Sequence, residues 1–278
     1  MALTTSSGAS ILTPEEVGAL VIRPLMETSV AAQVSTVVPT NSHDFRVPIV
    51  SADPTAAWTA EGAEITASDP TITEVLVTPK KLAGLTVISN ELAADSSPAA
   101  LQVVGDGLVR DLKRKLDAAY FGNTTTNGPA GLLSLSSTVI DAGDTWTNLD
   151  WAEAAKSAAE TVHTTLTAFV ASPATALALA SLKELTTGSN KSLLASDPTQ
   201  PTSRVIAGLP LYTSPAVADG IVWGIPQSHS IMVIRQDATV VTDTSVYFTS
   251  DRVAVRSTLR IGFGFTYPAA VIKVNTTP

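Results

Sequence analysis

Three histidines, His43, His163 and His229, are the imidazoles available for acid–base or metal chemistry, and no two stand at a spacing that would put paired ligands on one helix face. They read as polar surface or core residues. With no cysteine in the chain, disulfides, thiolate ligands and thiol nucleophiles are excluded. Glu61 and Glu64 form a carboxylate pair, but acid–base work needs burial or a charged neighbour to separate two pKa values, and this pair sits in a polar stretch that reads as a solvated turn. There is no Gly-x-Ser-x-Gly elbow. Gly105-Asp106-Gly107 falls inside a helical pattern instead of following a strand, so it is no dinucleotide fingerprint. Gly188-Ser189-Asn190-Lys191-Ser192 lacks the earlier glycine of a phosphate loop and follows a helical segment. The Asn-x-Thr/Ser sequons at Asn123, Asn190 and Asn275 matter only on a glycosylating route, and Lys113-Arg114-Lys115 is interspersed with acids as on an ordinary helix face. The expectation is no catalytic residue, no cofactor-binding residue and no metal site, and a chain that is not an enzyme.

The elements that would have to position any site are legible in part. Residues 1 to 12 lack periodicity and read as a flexible arm. A helix is predicted from Thr13, with Pro14 at its first position and Glu16 completing a capping box, limited by Pro24. The β-branched residues over 30 to 38 and 45 to 50 predict strands. Residues 51 to 70 are rich in Ala, Asp, Pro, Ser and Thr around a single Trp58, and the chain returns over 71 to 88 with partial apolar alternation. This pattern predicts a long β-hairpin arm that cannot build its own core and must lie on something else.

The strongest signal follows. Ser97 caps, Pro98 takes the first helical position, and Leu101, Val104, Leu108, Leu112, Leu116 and Ala119 recur at helical spacing until Phe121-Gly122-Asn123. About 24 residues of helix span roughly 36 Å. Arg110, Asp111, Lys113, Arg114, Lys115 and Asp117 supply its polar faces, and Gly105 and Gly107 mark a place where bending or close packing is tolerated. Beyond a turn at Asn127-Gly128-Pro129, helices are predicted over 149 to 162 and from Ser172-Pro173 to Gly188, with a buried strand at 169 to 171 between them. A polar loop at 189 to 204 leads to strands at 209 to 213, 221 to 224, 231 to 235, 239 to 241, 253 to 260, 262 to 266 and 270 to 274. The class is α+β, with helices and antiparallel strands partly segregated.

Composition narrows the function classes. A chain of 278 residues with 45% hydrophobic content can bury a large core. No run of about 18 uncharged apolar residues exists to span a membrane, and the first ten residues lack the charged and apolar regions of a secretory signal. A formal charge of −8 opposes the counterion release that drives nucleic-acid binding, so such a protein can enclose DNA without gripping it. Charged residues are only 15% of the chain, against roughly 25% in typical soluble domains. Low charge suits a surface that becomes interface.

The order of arm, hairpin, long helix, mixed domain and closing strands resembles the tailed-bacteriophage major capsid proteins of the Hong Kong 97 type. The local matches are Ala60-Glu61-Gly62-Ala63, Lys80-Lys81-Leu82-Ala83 running to Val87-Ile88-Ser89-Asn90-Glu91-Leu92 and Asp95-Ser96, and Leu116-Asp117-Ala118-Ala119-Tyr120-Phe121-Gly122 with Pro129 and Gly131-Leu132-Leu133. Gly208-Leu209-Pro210-Leu211 with Ser214-Pro215, and Arg260-Ile261-Gly262-Phe263 running to Tyr267-Pro268-Ala269-Ala270, complete them, and together they cover most of residues 45 to 274. The resemblance implies an N-arm at 1–28, part of a peripheral domain at 29–44, an E-loop hairpin at 45–85, the peripheral domain with its spine helix at 86–128, an axial domain at 129–238, and closing peripheral strands at 239–278. It further implies assembly of many copies into pentamers and hexamers, each E-loop across a neighbour, in an icosahedral shell around DNA. The implied partners are the chain itself and portal, scaffolding and decoration proteins, with no membrane; the implied location is the virion, assembled in the host cytoplasm. Expansion during maturation is a family trait in which the spine helix changes curvature, and Gly105 and Gly107 sit where that is easiest.

The chain also departs from the type member. The long N-terminal scaffolding region of some relatives is absent, and the leading Met1 favours a separate scaffolding protein over a processed form. In the type member a hairpin lysine joins an asparagine of another subunit with a glutamate assisting; here the aligned positions are Glu74, Asp251 and Thr258, none of which matches. The expectation is therefore a shell without covalent cross-links. Rival readings are an encapsulin-like shell enclosing protein cargo, a β-rich enzyme acting on polysaccharide, and a phage tail or adhesin module.

Overall fold

The computed structural model describes residues 29–89, 99–184, 191–194, 204–243 and 245–276. The arm at 1–28 with its predicted helix, the cap at Ser97-Pro98, the end of the predicted helix at Gly188 and most of the polar loop lie outside the described residues.

The chain enters through a single helical turn, α1 (Val30–Gln33), followed by β1 (Thr36–Thr40), where the sequence predicts one strand over 30 to 38. Two local causes win over β-propensity. Ser29 caps the turn by accepting from the Ala32 amide, and Ala31 and Ala32 are small enough to be buried against the long helix. The hairpin comes next, β2 (Phe45–Ala52) and β3 (Thr71–Val77), paired antiparallel from Phe45↔Val77 to Ala52↔Thr71. The predicted return to residue 88 is broken at Thr78-Pro79. From there β4 (Lys80–Ser89) belongs to a different sheet and pairs with β11 (Arg252–Phe265).

The long helix α2 (Ala99–Phe121) runs as its periodicity predicts, burying Leu112, Leu116 and Tyr120 on one stripe. Asp117 departs from expectation. Placed among the polar-face residues by its type, it is buried, because α1 packs over it. At Gly107 a Cβ would meet its nearest neighbour, the Arg110 guanidinium, at 3.7 Å, so crowding is not what a glycine serves there.

The four-stranded sheet has the order β1-β10-β11-β4, with β10 at Ser230–Asp243. Two pairs of short strands predicted over 231 to 241 and 253 to 266 are each one 14-residue strand. The first is interrupted only by a register shift between Arg235 and Thr239. Beyond α2, β5 (Thr138–Asp141), α3 (Asp150–Thr161), β6 (Ala168–Ala171), α4 (Pro173–Ala180), β7 (Arg204–Ile206), β8 (Leu209–Thr213), β9 (Ile221–Ile225) and the final β12 (Ile272–Asn275) build a six-stranded sheet of order β5-β12-β9-β6-β8-β7. Helix α4 is a turn or two shorter than predicted. It ends at Ala180, after which Lys183 bridges back to Ser192.

One core is shared by both sheets. Leu116, Phe121, Met232, Leu259 and Ile261 from α2 and the four-stranded sheet meet Ala168, Val170, Trp223 and Ile225 from the six-stranded one. A second cluster, centred on Trp151, Ala155 and Phe169, lies under α3, where Trp151 stacks edge-on to Phe169 at 5.5 Å between centroids.

Candidate assembly surface

The residues weighed for chemistry do not converge. His43 is exposed beside Asp44 at 3.1 Å, His163 sits at φ 56° just past the end of α3, and the His229 Nδ1 lies 2.9 Å from the Thr266 hydroxyl. Among the described residues no group of three or more His, Asp or Glu is placed to hold a metal. A hollow of about 190 Å³ between α2 and β4 is lined by Lys80, Lys115, Asn127, Leu116 and Phe263, with no carboxylate or imidazole. Two buried polar groupings are structural. The Ser35 hydroxyl donates to the Tyr120 oxygen at 2.8 Å, and the Tyr120 and Ser230 hydroxyls share a hydrogen bond at 2.5 Å. Burial pushes the Tyr120 phenol up to about 12, so it stays neutral. Asp117 accepts from the Ser29 hydroxyl at 2.6 Å and the Ala31 amide at 3.2 Å, tying the chain entry to the long helix.

What the fold does present is surface of an unusual kind, beginning with the hairpin. At its base, alternation aims Phe45, Val47, Val75 and Val77 at Val38, Ile231 and Val233 on one face of the four-stranded sheet. Gly262 and Gly264 of β11 make this seat: a Cβ on either would lie 2.7 or 2.6 Å from a Val77 methyl. The Gly-x-Gly alternation at 262 to 264 is the one sequence signal that could have found this close approach. Outward from Ile49 almost everything is exposed. Arg46 pairs with Glu74 at 2.6 Å across the outer face of the hairpin, and Val50, Ile72 and Leu76 face solvent. The tip turns at Ala60-Glu61-Gly62-Ala63, with Gly62 at φ 77° and the Ala63 amide donating to the Ala60 carbonyl. Trp58 is fully exposed, at 105%, and Ile65 is 79% exposed.

The sheet face that seats the hairpin base continues beyond it uncovered. In cross-strand register, Lys81, Arg260 and Arg235 form one row, Leu85 stands opposite Arg256, and Val87 opposite Ala254. Lys81, Ala83, Leu85, Val87, Arg252 and Arg256 are exposed, while the other face of β4 packs Leu82 and Gly84 toward α2. Of the residues aligned with the cross-linking positions, Glu74 lies on the hairpin, Asp251 in the turn before β11 at φ 48°, and Thr258 within β11 opposite Ala83.

Comparison with known proteins agrees with this architecture. No curated protein matches the chain by sequence. Among solved structures, the capsid of an empty GTA particle superposes with a TM-score of 0.75 at 17% identity, covering 90% of each chain. Mycobacterium phage Bobi gives 0.73 at 18% identity, covering 96% of this chain and 99% of that one, and Microbacterium phage Oxtober96 gives 0.73 at 18%, covering 90% and 91%. The likeness shows a shared mixed α+β capsid fold. The phage capsid family matches residues 9–276, nearly the whole sequence, and the chain therefore belongs to the phage capsid family.

Proposed function

We propose that this chain is the major capsid protein of a tailed bacteriophage, whose copies assemble as pentamers and hexamers into an icosahedral head that encloses DNA. One observation carries the reading: a hairpin whose base is seated on the sheet but whose long tip, with Trp58 and Ile65 in solvent, has nothing of its own to pack on. Exposed apolar groups of this size on an ordered arm are explained by burial against another copy. The net charge of −8 fits a wall that surrounds DNA without sequence-specific grip. No helix among the described residues is long and apolar enough to cross a membrane.

The same reading gives the chain portal, scaffolding and decoration proteins as partners, places assembly in the host cytoplasm, and assigns no catalysis. It assigns no cross-link either, because Glu74 is no amine nucleophile and is already ion-paired to Arg46. Residues 1–28, 45–85, 129–238 and 239–278 are its N-arm, E-loop, axial domain and closing peripheral strands, and 29–44 and 86–128 the rest of the peripheral domain. Negative-stain imaging of the purified chain tests the proposal. Hollow closed particles or five- and six-membered rings are expected, and a monodisperse monomer at every concentration and salt would refute it.

A further inference from the structure

The hollow between α2 and β4 has an apolar floor and a rim of one charge. Leu82, Leu116 and Phe263 form the floor, where β4 and β11 meet the long helix. Three lysines stand at the rim. Lys80 and Lys81 open β4, and Lys115 directly precedes the buried Leu116 on α2. All three are exposed, and no ion pair among the described residues engages any of them. Asp111, one turn back from Lys115 on the helix, does not line the hollow. On a chain of net charge −8 such a cluster is a local exception.

The remaining wall is a closed turn. Thr124 bridges to Ala130, and the Gly128 amide donates to the Thr125 carbonyl at 2.9 Å, which sets Thr125, Thr126 and Asn127 at the hollow. Asn127 holds φ 59°, a left-handed conformation that asparagine tolerates. Free carbonyls at the end of α2 would repel an anion, but they are covered. The Ala118 carbonyl accepts from the Gly122 amide and the Gly122 carbonyl from the Leu133 amide, each at 3.0 Å. Gly131 lies so close over the Ala119 and Tyr120 carbonyls that a Cβ would come within 2.2 and 2.7 Å of them. The hollow is thus lined by ammonium groups, two hydroxyls and a carboxamide, with no carboxylate.

Three cations around a space of about 190 Å³ repel one another, and the apolar floor lowers the local dielectric. An anion seated between them relieves that repulsion and gains more than it would on open surface. Lysine engages phosphate as a point charge, and a multiply charged oxyanion matches three ammoniums where a single carboxylate does not. We propose that this hollow is a phosphate-binding site, in which Lys80, Lys81 and Lys115 hold the phosphate group of a free phosphate or nucleotide, or of a nucleic-acid backbone. The proposal stands apart from the capsid reading, and its failure leaves that reading untouched.

Calorimetric titration of the purified full-length chain at fixed ionic strength tests it, with inorganic phosphate, a deoxynucleoside monophosphate, a short DNA duplex of mixed sequence and acetate as separate probes. The parent should bind at least one of the phosphate probes saturably and acetate far more weakly. Saturation by inorganic phosphate or the mononucleotide identifies a free ligand, and saturation by the duplex alone identifies nucleic acid. K80Q/K115Q, checked for folding by circular dichroism, should weaken that binding at least about tenfold. K80R/K115R should restore most of it, and K183Q/K273Q, which removes the same charge elsewhere, should leave it unchanged. Acetate bound as well as phosphate, equal losses in K80Q/K115Q and K183Q/K273Q, or no saturable binding of any phosphate probe would each overturn the site.

Discussion

At the scale of single residues, Asp117 shows how a side chain read as surface became a latch. Its carboxylate is buried under α1 and accepts from Ser29 and Ala31. Burial raises its pKa above the ordinary 3.8, with the Ser29 and Ala31 hydrogen bonds and Lys113 pulling the other way. The folded state therefore holds this proton more tightly than the unfolded chain does. The cost of the ionised form is fully present above the raised folded value and is relieved as pH falls through it toward 3.8. Asp117→Asn keeps an acceptor and removes the charge. Urea unfolding should show the parent gaining more stability than the variant as pH falls through that window. Asp117→Ala leaves the Ser29 hydroxyl and the Ala31 amide unsatisfied and should cost about 1–3 kcal/mol at neutral pH, more than Asn does.

Among the elements, the hairpin's seat and its tip separate stability from assembly. Gly264→Ala places a methyl 2.6 Å from a Val77 methyl, an overpacking that should cost about 1–3 kcal/mol. Val77→Ala removes the obstructing methyls. The double variant should then be less destabilised than the two single losses added together, by at least about 0.5 kcal/mol in a thermal-melt cycle. The tip behaves in the opposite way, because residues 53 to 70 contribute nothing to the three buried clusters. Deleting residues 52 to 70 should leave circular dichroism and the melting transition close to the parent while abolishing stable particles. Parent-like shells from the deletion would show that the hairpin is not an assembly arm.

For the whole molecule the question is what holds copies together. The positions aligned with a cross-linking triad carry Glu74, Asp251 and Thr258, and joining an amine to a carboxamide requires an amine, an amide and a base. An ion pair already engages Glu74 with Arg46, and two carboxylates repel instead of condensing. Particles boiled in detergent should therefore run as a single band near 28.7 kDa. A ladder of multiples without added cross-linker would show that another side-chain pair does this chemistry.

The sequence by itself determined what depends on local periodicity and composition. The stripe from Leu101 to Ala119 set the long helix to within two residues, the β-branched run from residue 45 set β2, and Ser172-Pro173 set the start of α4. The missing constellation of His, Cys and acids, the low charge and the coreless hairpin together pointed away from catalysis and toward self-association. Tertiary structure decided whatever depends on which surfaces meet. Residues 30 to 33 became a helical turn because two alanines fit against α2. The glycines of β11 mark the seat of the hairpin, because Val77 comes down on them from another sheet. The arginines of β11 share one face with Lys81 and Leu85 only through the register of two strands far apart in sequence. Spacing along a chain fixes which side chains share a face of one element. It is silent on which elements become neighbours, since that choice is made by burial summed over the whole fold.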